Sequence, residues 1–223
     1  LEAGQVVAVL DRTQAYQSAD RAEDLDGLVK VAAGQLCPAF AGRYSVPVPI
    51  VGLGIKACEG LVQGDPLAPV GFGAMQAAET LALREDPALR DLFDTGGARV
   101  LSYLDDVVIT VGDTDGLERI VAALERLDAQ RGLSLNQAKC ASNRSFRSWR
   151  DFSGDGGVVV LGIAIGTEDF VRRHAAAAID EAIRIEAAIV DAPLPLHDKF
   201  MLFSKCGTHP RAVHLMRATP PPL

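Results

Sequence analysis

The sequence predicts an α+β fold, with a ferredoxin-like core in the element order βαββαβ, added helices, and a small helical segment at the end. Two observations predict it. Strand-like apolar runs alternate with stretches of helical period up to about residue 167, and the pattern from residue 168 onward is helical throughout. We therefore expect a main domain at residues 1–167 and a helical segment at residues 168–223.

The first half of the chain supplies the opening strand and two helices. "QVVAVL" predicts a buried strand, and "RTQAYQSADRAEDLDGLVKVAA" predicts the helix after it from the spacing of Ala, Leu and Val. Residues 38–60 are rich in Gly, Pro and Val and have no helical period, so we expect a loop with short strands. The next helix is predicted to begin at Gly-Asp-Pro, with Asp65 as N-cap and Pro66 as its first residue.

The second half begins with a predicted hairpin, "VLSYLDDVVIT", whose turn carries Asp105 and Asp106. "DGLERIVAALERLDAQRG" predicts an amphipathic helix that ends at Gly132, and "LSLN" and "VVVLGIAIG" predict two further strands. In the tail, one helix is expected to end near Val190 and a second near Gly207, with "PLPL" between them.

Composition narrows the class of protein. No uncharged apolar stretch reaches the roughly 20 residues that a bilayer span needs, so no membrane association is expected. The four cysteines form no C-x-x-C pair, and free thiols are typical of a reducing, intracellular compartment, the nucleus included. The net charge of −7 argues against a general polyanion binder, yet residues 139–150 and 199–223 carry basic side chains and no acid.

Three carboxylates are expected to meet at one end of the sheet. In the predicted topology the end of the first strand lies beside the central hairpin, which brings Asp11 against Asp105 and Asp106. Three carboxylates in one place cannot all stay ionised without cations, and hard oxygen ligands favour Mg²⁺ or Mn²⁺. Two such ions are the usual means of stabilising phosphoryl transfer. A hairpin turn that merely tolerates Asp105 and Asp106, with Asp11 capping a helix, is the alternative.

Five segments resemble, in this order, five successive motifs of reverse transcriptases: "VVAVLDRTQAYQS", "GLVQGDPLAPVGF", "SYLDDVVIT", "GLSLNQAKC" and "VVVLGIAIG". The non-LTR retrotransposon type is the most similar, and "MLFSKCGTHPRAVHLMRATPPP" resembles the segment that begins the thumb in such elements. The resemblance implies a polymerase palm at residues 1–167 and the start of a helical thumb at residues 168–223. It also implies RNA-directed DNA polymerase activity with two Mg²⁺ or Mn²⁺ ions, a dNTP, an RNA template and a DNA primer.

The resemblance also implies roles for individual residues. Asp11 and Asp105 match the main metal ligands, with the backbone carbonyl of Arg12 helping and Asp106 beside them. Tyr16 matches an aromatic residue against the sugar 2′ position, and Lys139 matches a general acid for the departing pyrophosphate. The residues expected to contact substrate are Arg12, Tyr16, Gln63, Gly64, Asp65, Pro66 and Tyr103. The basic residues expected to face nucleic acid are Arg144, Arg147, Arg150, Lys205, Arg211 and Arg217.

Other interpretations stay open. Tyr16 could be a core aromatic residue and Lys139 a surface lysine. The family has a fingers region before its first Asp, whereas only ten residues precede Asp11, so we expect an upstream fingers region in a longer polyprotein. A catalytically inactive remnant that binds RNA or protein is the alternative function. An RNA-directed RNA polymerase is disfavoured, because those enzymes usually carry an acid where this chain has Tyr16.

Overall fold

The computed structural model describes residues 4–13, 15–30, 37–44, 48–49, 56–57, 60–61 and 65–206. The chain forms two compact units, Leu1–Asp151 and Phe152–Leu223. The division into a palm at residues 1–167 and a thumb-like segment at residues 168–223 stays a prediction.

The described residues form a mixed set of helices and strands. In chain order they are β1 (Val6–Leu10), α1 (Ala15–Ser18), α2 (Arg21–Lys30), α3 (Cys37–Tyr44), β2 (Val48–Pro49), β3 (Lys56–Ala57), α4 (Ala68–Glu85), α5 (Arg90–Asp94), β4 (Arg99–Tyr103), β5 (Asp106–Val111), α6 (Thr114–Gln130), β6 (Ala141–Ser142), β7 (Arg150–Asp151), a short 3-10 helix (Ser153–Asp155), β8 (Gly157–Val160), β9 (Ile163–Gly166), α7 (Glu168–Asp191) and α8 (Leu196–Cys206). The α+β class predicted from the sequence is confirmed.

The first unit is built on a five-stranded sheet in the order β4-β5-β1-β6-β7. The pairs β4–β5, β5–β1 and β1–β6 are antiparallel, and the pair β6–β7 is parallel. Helices connect β1 to β4 and β5 to β6. These four strands therefore have the order and directions that a ferredoxin-like βαββαβ core requires.

The sheet has one covered and one open face, because successive side chains of a strand point to opposite sides. On the covered face, side chains of β1 and β5 form one core with apolar residues of α6. These residues are Val6, Ala8, Leu10, Val107, Ile109, Val111, Leu117, Ile120 and Leu124. On the other side, Val9 pairs with Val108 and both are only half-buried, while Leu101 and Tyr103 are 66% and 61% exposed. We call this side, defined by these four residues, the open face.

The helix predicted after β1 is interrupted, so that prediction is wrong in part. Helix α1 ends at Ser18 and α2 begins at Arg21. Between them the backbone N–H of Asp20 donates to the carbonyl of Arg131 at 3.1 Å, and the Asp20 carboxylate accepts from the N–H of Ala22 at 2.7 Å. A tertiary hydrogen bond and a local cap replace the helical bonds here.

A helix also lies where a loop was predicted. Helix α3 covers residues 37–44, with a proline in its first turn, where the missing N–H costs nothing. Phe40 and Tyr44 lie one turn apart, are both buried, and have ring centroids 4.8 Å apart. The burial of these two rings outweighs the weak helical preference of the Gly and Pro residues. The short strands expected in this region are confirmed as β2 and β3.

Helix α4 begins later than predicted. Its first residue is Ala68 and its N-cap position is Leu67, so Asp65 is not the N-cap and Pro66 is not the first helical residue. The Asp65 carboxylate instead accepts from the N–H of Leu67 at 2.9 Å and from the guanidinium of Arg43 at 2.6 Å. Asp65 therefore organises the turn that precedes the helix.

The strands predicted after α6 are also revised. In "LSLN" Leu135 forms an isolated bridge with Arg12, and the strand that joins the sheet is β6, at Ala141–Ser142. "VVVLGIAIG" is a hairpin of β8 and β9, with Leu161 and Gly162 at φ 52° and 77° in the turn, as a tight hairpin turn requires. Helices α7 and α8 confirm the predicted helical tail. None of the described helices is long and apolar enough to cross a membrane.

Candidate active site

The three predicted carboxylates lie at one end of the sheet. Asp11 follows the last residue of β1, and the pairing of Leu10 with Val107 places it opposite Asp106 as the register continues. Asp105 lies in the tight turn between β4 and β5, next to Leu104, whose φ is 54°. By strand alternation Asp11 and Asp106 belong to the open face, because Val9 and Val108 do.

The charges of these carboxylates interact. The pKa of Asp106 is raised, first by its partial burial and then by the negative charges of Asp105 and Asp11, while Lys139 opposes the rise. Oδ2 of Asp11 is buried without a hydrogen-bond partner and lies 3.4 Å from Nζ of Lys139. Among the described residues, the pKa of Asp106 is thus affected by two other carboxylates and one ammonium group, which leaves negative charge in excess there.

The donor set suits a hard divalent cation. Carboxylate oxygens are the ligands that Mg²⁺ and Mn²⁺ prefer, and Asp11 Oδ2 has a coordination position to offer. Within the described part of the chain, no three acidic, His or Cys side chains converge tightly enough to enclose an ion as they stand. The metal role of Asp11, Asp105 and Asp106 therefore stays a prediction.

Lys139 is placed by a turn that is attached to Asp11. The backbone N–H of Asn136 donates to the carbonyl of Asp11 at 2.8 Å, and the N–H of Lys139 donates to the carbonyl of Asn136 at 2.9 Å. The Lys139 side chain is 67% exposed, with its ammonium group beside Asp11. This cation is thus held near the carboxylates and remains accessible to a ligand.

The side chain of Arg12 lies in the interior. Its guanidinium donates to both carboxylate oxygens of Glu79, at 2.6 and 2.8 Å, and to Oδ2 of Asp128 at 3.2 Å. A substrate contact by Arg12 is therefore left to its backbone. Sequence reasoning missed Glu79 and Asp128, although an acid on the apolar side of an amphipathic helix is a recognisable signal.

The other residues predicted to contact substrate are spread over several elements. Tyr103 is exposed on the open face, opposite Asp106. Tyr16 lies in α1, but its side chain is outside the described part of the structure, as are Gln63 and Gly64. Pro66 is exposed in the turn before α4, beside Asp65.

The basic residues predicted to face nucleic acid differ in whether their side chains are bound to acids of the chain or exposed. Arg147 binds Glu118 and Glu125 at 2.6 and 2.7 Å, and these hydrogen bonds raise the pKa of its guanidinium further above its usual range. Its charge is thus balanced within the first unit. Arg144, Arg150 and Lys205 are exposed, and Arg211 and Arg217 lie outside the described residues. Arg99 was missed: it is exposed on β4, and the alternation of that strand puts it on the same side as Leu101.

No family model and no curated protein matches the sequence. Solved structures of telomerase are similar in fold. Apo telomerase from Candida tropicalis matches with a TM-score of 0.55 at 10% identity, covering 73% of this chain and 31% of that chain. Telomerase from Candida albicans in complex with a TWJ fragment of telomeric RNA gives 0.55 at 11%, covering 74% and 31%. The corresponding RNA complex from Candida tropicalis gives 0.54 at 9%, covering 96% and 38%.

The similarity to telomerase concerns the fold alone, because the identity is about a tenth. The chain spans about a third of the length of the telomerase chains it matches. Telomerase is a polymerase related to reverse transcriptases, so a reverse-transcriptase-like fold is supported.

Proposed function

We propose that this chain is the palm, with the start of the thumb, of an RNA-directed DNA polymerase of the non-LTR retrotransposon type. One observation carries the proposal: three carboxylates from β1 and the β4–β5 hairpin, with Lys139 beside Asp11, stand at one end of an open sheet face. The fold similarity to telomerase supports it. The reaction would be nucleotidyl transfer from a dNTP to a primer 3′-OH, directed by an RNA template.

In this proposal Asp11 and Asp105 hold two Mg²⁺ or Mn²⁺ ions, with Asp106 beside them. Oδ2 of Asp11, which is buried and accepts no hydrogen bond, and the mutual repulsion of the carboxylates support the assignment. When bound, such ions stabilise negative charge on the attacking and departing oxygens. The protein's own contribution is to orient: β1 and β5 fix the two carboxylate-bearing segments side by side in a paired sheet.

Lys139 is the proposed proton donor to the departing pyrophosphate. Its ammonium lies 3.4 Å from Asp11, so a phosphate group bound at the carboxylates would be within its reach. The positive charge of an ammonium group also compensates the negative charge of a phosphate group that lies close to it. Lys139→Met should reduce the rate of nucleotide addition while leaving metal binding at Asp11 intact.

The open face is the proposed platform for the primer and template. Tyr103 and Leu101 are exposed there, next to the carboxylates, and Arg99 adds a cation. Tyr16 is proposed to lie against the sugar 2′ position of the incoming dNTP. In two of the similar telomerase structures that protein is bound to telomeric RNA. By analogy we propose an RNA template for this chain, with an upstream fingers region completing the dNTP site.

Calorimetric titration with Mn²⁺ tests the core of the proposal. Asp11→Asn and Asp105→Asn should each lose binding while the thermal unfolding midpoint stays the same or rises, because like-charge repulsion is relieved. Asp94→Asn, an exposed acid at the end of α5, is the matched control and should bind as the wild type does. Wild-type affinity in both site variants would overturn the proposed function.

A further inference from the structure

A buried ionic cluster lies directly behind the carboxylate site. It consists of Arg12, which follows Asp11, together with Glu79 of α4 and Asp128 of α6. All three side chains are at most 2% exposed. Arg12 Nη2 is 2.6 Å from Oε2 of Glu79 and 2.9 Å from Oδ1 of Asp128. The guanidinium thus connects the end of β1 to two helices at once.

The cluster is coupled to Asp11 through the backbone. On either side of Arg12 the chain is bonded to the segment after α6: the carbonyl of Asp11 accepts from Asn136 at 2.8 Å, and the N–H of Thr13 donates to Ser134 at 2.9 Å. Asp11 and Arg12 are adjacent residues at the end of a strand, so their side chains point to opposite faces. Because the guanidinium of Arg12 is held in one orientation on the covered face, the backbone between the two residues is fixed. The carboxylate of Asp11 is therefore held in one direction on the open face.

Fold stability alone is a poor reason for such a cluster. Removing three charged groups from water is costly, and apolar side chains of similar volume often stabilise a protein as well or better. The cluster is also incompletely satisfied, because Arg12 Nη1 is buried without a hydrogen-bond partner. A planar fork held by two carboxylates does, however, fix its orientation, which an apolar side chain does not.

We infer that Arg12 is a positioning residue, which through Glu79 and Asp128 holds the backbone at the end of β1 so that Asp11 points its carboxylate into the metal site. The inference rests on the proposed function, since it takes Asp11 to be a metal ligand. It assigns Glu79 and Asp128 a function at a site that neither of them contacts.

The test replaces the cluster by apolar residues in the triple variant Arg12→Met, Glu79→Leu, Asp128→Leu. The thermal unfolding midpoint should stay within a few degrees of the wild type or rise, whereas the Kd for Mn²⁺, measured by calorimetry, should increase at least about tenfold, as loss of outer-shell support does. If the cluster served only to stabilise the fold, the Kd for Mn²⁺ in the triple variant should stay within about twofold of the wild-type value. That result, with folding preserved, overturns the inference.

Two single variants decide the matter even where the triple variant does not fold. Arg12→Lys keeps the charge but loses the planar fork, and should weaken Mn²⁺ binding. Glu79→Gln keeps one acceptor oxygen for the guanidinium but replaces the other by a donor, and should weaken Mn²⁺ binding less than Arg12→Lys does. Wild-type Mn²⁺ affinity in Arg12→Lys would contradict the inference, as would a larger loss in Glu79→Gln than in Arg12→Lys.

Two controls separate this inference from the proposed function. Leu117→Ala opens a cavity in the core of the first unit about three helical turns before Asp128 in α6, so it should lower the unfolding midpoint and leave Mn²⁺ affinity unchanged. Asp11→Asn removes the proposed ligand itself. Unchanged Mn²⁺ binding in Asp11→Asn would refute the metal site, whereas loss there with wild-type binding in the triple variant would refute only the positioning role.

Discussion

Two arginines of this chain each bind two carboxylates, one inside the first unit and one at its surface. Arg12 binds Glu79 and Asp128 with no side-chain exposure, and Arg147 binds Glu118 and Glu125 with a quarter of its side chain exposed. The shortest contact between nitrogen and oxygen is 2.6 Å in both clusters. Their geometry is similar, but their surroundings differ.

The pKa values of Glu79 and Glu118, one glutamate from each cluster, shift in opposite directions. The pKa of Glu79 is raised to about 7, because the effect of burial, helped by the negative charge of Asp128, outweighs the opposing effect of Arg12. Glu118 has its pKa lowered, because the hydrogen bond from Arg147 outweighs a slight desolvation. The comparison shows that desolvation, not the number of ion pairs, decides whether a carboxylate is stabilised in its charged form.

The largest expected effect is that of Arg12→Met on stability. It leaves Glu79 and Asp128 buried without their cation, and losing one partner of a buried pair costs roughly 3–5 kcal/mol. Urea unfolding at neutral pH measures the free energy. Adding Glu79→Leu and Asp128→Leu to Arg12→Met should restore most of the loss, since no unpaired charge remains. A loss under about 1 kcal/mol for the single variant would mean that water reaches the cluster.

The second-largest expected effect is on the pH dependence of the free energy of unfolding. Because the pKa of Glu79 is higher in the folded state than in the unfolded chain, its contribution to stability is fully present below the ordinary value of 4.5 and is lost as the pH rises through about 7. Arg12 and Asp128 are the charged groups that face it. Glu79→Gln should remove this loss, so its stability relative to wild type should rise by up to about 3 kcal/mol between pH 4 and 8.

Unfolding free energies of wild type and Glu79→Gln, measured side by side across this pH range, isolate the contribution of one group. Titrating groups that do not interact with Glu79 are common to both proteins and cancel in the difference, so what remains is the contribution of Glu79 together with its interaction with Asp128. A pH-independent difference would show that Glu79 stays charged when folded, with Arg12 compensating its burial in full.

The carboxylate site and the Arg12 cluster differ in how far the sequence could predict them. The meeting of Asp11 with Asp105 and Asp106 followed from local patterns, because strand runs ending in acids and a βαββαβ order bring those ends together. Arg12 and its partners are 67 and 116 residues apart, and no local rule pairs them. Glu79 and Asp128 could be recognised only as acids on apolar helix faces, a signal without a named partner.

The elements that were mispredicted have similar causes. Helix α3 forms because Phe40 and Tyr44 are buried together, which the Gly- and Pro-rich composition of the segment hides. The β8–β9 hairpin has no polar residue at its turn, so its uninterrupted apolar run predicts one strand and not two. In α3 tertiary packing outweighs the local sequence signal, and in the β8–β9 hairpin the backbone turn at Leu161 and Gly162 does so.

The smallest expected effect is at the surface cluster, and its sign is reversed. The pKa of Glu118 is lowered on folding, so its contribution is present above the ordinary value of 4.5 and is lost as the pH falls below it. Glu118 is half exposed, and solvent screening limits the effect of Glu118→Gln to under about 1 kcal/mol at pH 7. The difference from wild type should vanish near pH 3 and shrink in 1 M salt. A salt-independent loss as large as that of Arg12→Met would show that exposure does not separate the two clusters.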